Sequence, residues 1–334
     1  MFGDRPLAKG TDFSACEWDL KSVPLASGLS PNMHASPYLL LSLTALFWSL
    51  NWVIGRAIAG HVTPFALTYI RCIVAVAVML PFEWPAIRAH REAIHRNWKV
   101  IAWLGFWGTG LHNVFAYAGL QYTTATNGVI LNSSVPIMII VLGWLIYRDT
   151  ITRLQALGVA ISMAGVLAIL TRGDPSVLAS LELNKGDVIV VVGMVFWAAY
   201  TVFLRHKPMD VPGLALLTCC AVVGVMLLTP LVAIEMVFLG GHVEFSPATL
   251  AAMLYVGIFP SFVGYIFWNR GVAEVGPNVA GIFMHLMPVF GSLLAWMFLG
   301  ERIQAFHIVG IALILAGITL TTRGKRAEPE PGPE

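Results

Sequence analysis

Residues 278–303, NVAGIFMHLMPVFGSLLAWMFLGERI, decide the fold, because residues 126–151, TNGVILNSSVPIMIIVLGWLIYRDTI, carry the same skeleton 152 positions earlier. Pro288 falls on Pro136, Trp296 on Trp144, Glu301 on Asp149 and Ile303 on Ile151. The register holds downstream, where Gly310, Ala316 and Gly317 fall on Gly158, Ala164 and Gly165. It also holds upstream, where Gly257, Phe267 and Gly271 fall on Gly105, Phe115 and Gly119. A gap-free offset kept over several helices marks a duplicated unit. The start of the chain joins in at an offset of 149, where Phe196, Trp197, Val202 and Arg205 fall on Phe47, Trp48, Val53 and Arg56. Pro212, opening the seventh segment, matches Pro64, opening the second.

Composition says what solvent surrounds these units. The 334 residues are 57% hydrophobic and only 11% charged, against about 25% charged in soluble domains. Polar groups are too few to cover a water-exposed surface, so the lipid bilayer is the expected solvent. A net charge of +2 implies no nucleic-acid partner. Cys16, Cys72, Cys219 and Cys220 have no regular spacing, so neither a disulfide framework nor a metal motif follows from them. No cofactor or metal is expected. The first residues mix both charge signs, which argues against a cleaved signal peptide.

Ten apolar runs approach the ~20 residues that a helix needs to cross ~30 Å of hydrocarbon. They span roughly 37–56, 64–82, 98–119, 124–147, 151–171, 186–205, 211–238, 248–269, 275–299 and 303–322. Such long, continuously apolar runs are helices and not alternating barrel strands. The expected class is an all-α membrane protein. A flexible cytoplasmic tail over 1–36 precedes a first repeat over 37–171. A loop over 172–185, a second repeat over 186–322 and a disordered tail over 323–334 follow. With an even number of helices, both tails share a side with the loops after helices 2, 4, 6 and 8. That side holds 15 of the 20 Lys and Arg, and the opposite loops hold four. Basic loops stay cytoplasmic, which places both termini there. Each half has an odd number of helices, so the halves enter the membrane from opposite sides and are inverted about an axis in its plane. Inverted repeats of this kind are the architecture of secondary transporters, with a substrate site near the midplane between halves.

The segments FWSLNWVIGR (47–56), TPFALTYIRCIVAVAVMLP (63–81), NSSVPIMIIVLGWLIYRDTITRLQALGVAISMAGVLAI (132–169) and PVFGSLLAWMFLGERIQAFHIVGIALILAGI (288–318) resemble the EamA family of the drug/metabolite transporter superfamily. The resemblance covers roughly residues 37–323. It implies a ten-helix exporter or permease of small metabolites, often amino acids or related compounds, in a bacterial inner membrane. It further implies a central cavity lined by helices 1, 3, 4, 6, 8 and 9, with helices 5 and 10 peripheral. One departure is that Arg71 in helix 2 has Cys219 near its equivalent place in helix 7.

Polar side chains at membrane depth are costly and each needs a reason. His285 lies mid-helix, three residues before Pro288, and faces Ser133 in the repeat register. It either binds substrate or a proton, or is a neutral histidine bonded to a neighbouring helix. Pro136 and Pro288 cannot bond the carbonyls of Asn132 and Met284, so both helices are expected to kink as hinges and expose an acceptor. Helix 3 carries Thr109, His112, Asn113 and Tyr117 on one stripe, and helix 8 carries Ser261, Tyr265, Trp268 and Asn269. These read as two walls of one cavity, or else as interhelical hydrogen bonds. Trp48 and Asn51 with Trp52 on helix 1, and Trp197 and Tyr200 on helix 6, suit an amphiphilic or cationic ligand, unless the tryptophans are interfacial. Asn127 and Ser134 share a face of helix 4 and could bond a ligand. Arg71 reads as snorkelling to the interface, with pairing to an anionic substrate group as the alternative. The glycines of helices 5 and 10 read as close packing.

The leading functional reading is a secondary transporter, an exporter of small metabolites such as amino acids or related amphiphilic compounds, with protons as a candidate coupling ion through His285 or His112. No G-x-x-x-x-G-K-[ST] is present to bind ATP. An intramembrane enzyme would need a metal pair, a nucleophile–base set or paired carboxylates at depth, and none is seen. A channel or sensor fits the helices but gives no reason for inverted halves.

Overall fold

The computed structural model describes residues 36–123, 125–174, 176, 184–299 and 303–324. Ten helical segments fill them. In chain order α1 is Pro37–Ala57 and α2 is Pro64–Ala89. A short helix, Arg91–Arg96, leads to α3, which runs as Trp98–Leu104, a π-helical turn over Gly105–Leu111, and His112–Leu120. The fourth, α4, is split into Ala125–Asn132 and Val135–Tyr147, and α5 is Arg153–Leu170. The second half repeats the series: α6 Lys185–Phe203, α7 Gly213–Phe238, and α8 as Pro247–Ile258, a π-turn Phe259–Val263, and Gly264–Val275. Then α9 is Pro277–Ile282, a 3-10 turn Phe283–His285, and Leu286–Leu299, and α10 is Ala305–Arg323. Eight of these are long and apolar enough on their own to cross a membrane. The interrupted α4 contributes the shorter apolar helix Val135–Tyr147, and α3 is diluted by glycines, His112 and Asn113. The tails, most of 172–185, and the side chain of Asn127 lie outside the described residues.

Two helices overrun the apolar stretches. α2 continues past residue 82 to Ala89 through Pro81 and Pro85. α8 continues past residue 269 to Val275, where Arg270 pairs with Glu274 one turn on. Val272 and Val275 remain buried and Gly271 packs on Leu41, so tertiary packing carries the helix past its lipid-facing run and the ion pair adds a few tenths of a kcal/mol at most. Gly276, at φ +82°, then ends it.

The repeat has a direct physical expression. Helices of one half pack chiefly on helices of the other: α1 on α8 and α9, α6 on α3 and α4, α2 on α7, α5 on α10. Individual contacts come in exchanged pairs. A methyl group on Gly119 would meet Val190 at 2.4 Å, and one on its repeat mate Gly271 would meet Leu41, the mate of Val190, at 2.5 Å. Likewise Gly105 abuts Val223 while Gly257 abuts Val74. On α5 and α10, Gly158 lies against the Gly317 carbonyl and Gly165 against the Gly310 carbonyl, so the two helices run antiparallel. These reciprocal contacts are those of a pseudo-twofold axis relating inverted five-helix halves. The π-turns of α3 and α8 also fall at matching places, and each holds the first residue of its polar stripe, Thr109 and Ser261.

Candidate functional site

The axis runs through a cluster of rings. Trp48 and Trp197 are repeat mates, and they meet edge to face with ring centroids 4.9 Å apart. Tyr265 and Trp268 of α8 and Tyr200 of α6 complete the cluster. On one side of it lies a cavity of about 480 Å³, mouth included. Trp48, Asn51 and Trp52 line it from α1, and His112, Asn113, Ala116, Tyr117 and Leu120 from α3. Arg71 enters from α2 and Asn132 from α4, and the far wall is Trp197, Tyr265, Met284 and Met287. The α1 and α3 residues come from the second halves of their helices and Arg71 from the first third of α2. The cavity is therefore displaced toward the end where α1 and α3 finish and α2 begins. The opposite end is filled by Tyr200, Trp268 and Asn269, all within 2% of full burial, and beyond them Arg205 of α6 pairs with Asp149 after α4.

Arg71 organises the polar wall. Its side chain is buried, with Nε donating to Ser261 Oγ at 2.7 Å and Nη1 to Asn113 Oδ1 at 2.5 Å and Tyr117 Oη at 3.0 Å. Tyr117 in turn donates to Asn51 Oδ1 at 2.8 Å. Asn113 Nδ2 reaches Tyr265 Oη at 3.3 Å, and Tyr265 donates to the Gly108 carbonyl at 2.6 Å. His112 Nδ1 lies 2.9 Å from the Gly193 carbonyl. A carbonyl only accepts, so Nδ1 carries the proton and Nε2 of the neutral ring keeps its lone pair. The indole N–H of Trp48 donates to the Pro260 carbonyl at 3.1 Å, whereas that of Trp197 is buried without a partner.

The profile of the EamA-like transporter family matches residues 35–171 and again 184–323, once per half. The chain belongs to this family. It is similar to the uncharacterized transporter YyaM of Bacillus subtilis strain 168, 27% identical over 294 residues that cover 87% of this chain and 94% of the other. An uncharacterized transporter of Archaeoglobus fulgidus is likewise 27% identical, over 87% of this chain and 98% of its own. A probable terminal-alkyne amino-acid exporter of Streptantibioticus cattleyicolor is 24% identical over 70% of this chain and 77% of its own. A solved crystal structure shares the fold with a TM-score of 0.67 at 18% identity, covering 86% of this chain and 97% of that one. The protein is thus a multi-pass membrane protein of a transporter family.

In this EamA protein eight of the ligand candidates singled out from sequence come together on the cavity: Trp48, Asn51, Trp52, His112, Asn113, Tyr117, Trp197 and Tyr265. Tyr200, Trp268 and Asn269 stand behind that wall, where Tyr200 donates to Asn269 Oδ1 at 2.8 Å. Ser134 turns back on its own helix, donating to the Leu131 carbonyl. His285 is fully buried away from the cavity: Nε2 lies 2.9 Å from the Ser133 carbonyl and Nδ1 2.7 Å from Ser162 Oγ. Nε2 must donate to that carbonyl, so Nδ1 accepts from the serine, and both nitrogens are occupied. The helix breaks sit just before the two prolines, at Ser133–Ser134 ahead of Pro136 and at Phe283–His285 ahead of Pro288.

The snorkelling reading of Arg71 is corrected: its side chain turns inward, because Ser261, Asn113 and Tyr117 offer three acceptors and the lipid none. Its structural mate is Cys220, one residue on from Cys219, since the carbonyl of Cys220 accepts from Thr109 at the place where Arg71 Nε donates to Ser261, the repeat mate of Thr109. Asn132 and Met284, absent from the sequence candidates, line the cavity as repeat mates. Their signal was present, as they are the residues four before Pro136 and Pro288.

Proposed function

We propose that this EamA protein is a secondary transporter, an exporter of small metabolites such as amino acids or related amphiphilic compounds. It works by alternating access around the cavity beside Trp48 and Trp197, with both termini cytoplasmic in a bacterial inner membrane. The observation that carries this reading is the exchanged contact pattern of the two halves about an axis that passes beside one off-centre cavity. If the halves exchange conformations, the cavity moves to the other end of the same axis, and a solute bound beside it changes sides. The similarity to a probable amino-acid exporter supports the substrate class. Trp48, Asn51, His112, Asn113, Tyr117, Trp197 and Tyr265 are the residues assigned to substrate, and Pro136 and Pro288 the hinges. Protons are the proposed coupling ion, with His112 as carrier, because its Nε2 lacks a partner among the described residues whereas both nitrogens of His285 are engaged.

Purified protein in proteoliposomes tests this with a panel of labelled amino acids and related acids. Saturable flux with counterflow is expected, driven by a pH gradient in the wild type and indifferent to it in His112→Gln. Flux that never saturates, or that lacks counterflow, overturns the carrier reading.

A further inference from the structure

Among the described residues, Arg71 is a cation without an anion. It lies seven residues into α2 inside an uncharged run, and its residue is 2% exposed. A charge at such depth costs on the order of 2.5–3.5 kcal/mol on insertion scales. Yet its protein partners, Ser261, Asn113 and Tyr117, are all neutral, and no partner is found for Nη2. Two cavities touch it, and neither is lined by an aspartate or glutamate among the described residues.

The fold does not require this charge. Its repeat mate Cys220 holds the same place in the other half with a neutral side chain, and there the main-chain carbonyl takes the bond from Thr109. The packing contacts around it, Gly105 on Val223 and Gly257 on Val74, are the same in both halves. What the guanidinium has that its mate lacks is a fixed aim. Each acceptor that holds it is itself anchored: Ser261 donates to the Val256 carbonyl, Tyr117 to Asn51, and Asn113 to Tyr265. With Nε and both Nη1 hydrogens engaged, the two N–H groups of Nη2 are what remains to meet an oxygen acceptor, and a charge-assisted bond to an anion is the strong one.

The rest of the cavity wall is apolar and ring-rich, with Trp48, Trp52 and Trp197 beside Met284 and Met287. A cationic amphiphile, which the aromatic residues alone suggest, meets a resident cation and no counter-charge.

We propose that the cavity is a carboxylate site, in which Arg71 receives the carboxylate of an organic acid whose flat apolar body lies against Trp48, Trp52 and Trp197. This rests on reading the cavity as the substrate site and narrows its ligand to an organic anion. An amino acid satisfies it through its carboxylate, and its ammonium group is not required.

Full-length protein in lipid nanodiscs, titrated by tryptophan fluorescence, tests the proposal without any need for transport. The probes are 3-phenylpropionate, indole-3-propionate, 3-phenylpropanamide, phenethylamine and phenylalanine. The two acids bind and quench, the amide binds roughly 10- to 100-fold more weakly, as loss of one charge-assisted pair implies, and the amine does not bind. In Arg71→Gln the acids fall to the level of the amide. Phenylalanine binding as the acids do also supports the proposal, because the carboxylate is shared. Equal binding of acid and amide by the wild type overturns it and needs no variant to fold. So does failure of both acids to bind, or unchanged acid affinity in a folded Arg71→Gln protein. Acid binding without flux in proteoliposomes strikes the transport reading and leaves the carboxylate site standing. Saturable flux that favours amines or amides does the reverse.

Discussion

Asn113 and Tyr265 are the same position in the two halves, and they touch each other, Asn113 Nδ2 lying 3.3 Å from Tyr265 Oη. Trp48 meets its mate Trp197 in the same way, and His285 meets its mate Ser133. A residue can contact its own repeat mate only on the pseudo-twofold axis. Such contacts map onto themselves when the halves exchange, so they can persist while off-axis contacts trade places. The Trp48–Trp197 pair keeps one residue type on the axis, while Asn113–Tyr265 and Ser133–His285 show where the two halves have diverged within one geometry.

Asn113→Asp supplies Arg71 with an internal counter-ion of nearly the same shape. The bond becomes charge-assisted, a gain of about 1–2 kcal/mol, so the melting temperature of the purified protein is expected to rise or hold. Binding of 3-phenylpropionate is expected to fall by roughly tenfold or more, since the ligand carboxylate now competes with a resident one. Unchanged acid affinity in this variant contradicts the assignment.

Tyr117 donates to Asn51, and Tyr200 donates to Asn269. Asn51 is the mate of Tyr200 and Asn269 the mate of Tyr117, so the same bond exists on both sides with donor and acceptor exchanged. Tyr200→Phe strands a buried amide oxygen and is expected to cost about 1–3 kcal/mol of stability, read as a lower melting temperature. Tyr117→Phe loosens both Arg71 and Asn51 at the cavity and is expected to weaken ligand binding more than it lowers stability. Equal effects of the two variants on ligand affinity would count against the off-centre cavity.

His285→Ala leaves the Ser133 carbonyl and the Ser162 hydroxyl buried with a vacated partner. The expected cost is about 1–3 kcal/mol in thermal unfolding, with the pH-gradient dependence of flux retained. Loss of that dependence in a stable His285→Ala protein would return the proton to His285.

Close approach of α5 and α10 depends on glycine. A methyl group on Gly317 would lie 2.4 Å from the Gly158 carbonyl, which is backbone and cannot swing aside. Gly317→Ala is expected to destabilise by about 1–3 kcal/mol through overpacking. In Gly291→Ala the new methyl group meets only Ser49 Oγ at an ordinary 3.5 Å, and the better helix former is expected to be neutral or to stabilise by up to about 1 kcal/mol. Thermal melts of the two variants give opposite signs if the contacts are as described.

The loop between α1 and α2 clasps the loop between α7 and α8 on the side toward which the cavity is displaced. Thr63 donates its N–H to the His242 carbonyl, Glu244 donates its N–H to the His61 carbonyl, and His61 bonds the Glu244 carboxylate. That bond from His61 lowers the pKa of Glu244, and the Gly60 carbonyl raises that of His242. The carboxylate's contribution is full above its ordinary value of about 4.3 and is lost as pH falls through the lowered value. The histidine's is full below about 6.5 and is lost as pH rises through its raised value. The clasp is expected to be tightest between about pH 4.5 and 6.5. Hydrogen-exchange protection of the Thr63 and Glu244 amides, corrected for intrinsic rates, checks this, and a flat profile would refute it.

The helices, the duplication and its inversion were legible in the residues, because each depends on patterns local to the chain. Apolar runs have the length of a bilayer, prolines and glycines mark matching points, and basic loops alternate. The overrun of α8 was not legible, since Arg270 and Glu274 interrupt the apolar run while Val272 and Val275 between and beyond them still pack inward. More than half of the cavity lining was legible as well: stripes on α1, α3, α6 and α8 named eight of its residues. What depth and polarity alone could not do was rank them. His285 and Arg71 carry similar signals, a titratable side chain inside an apolar run, yet they are oriented by partners 42 to 190 positions away. Sequence determined that each must be satisfied, because lipid offers no partner. Only the tertiary structure decided that Ser133 and Ser162 satisfy His285 completely, while Arg71 is held by neutral groups and left with a charge to share.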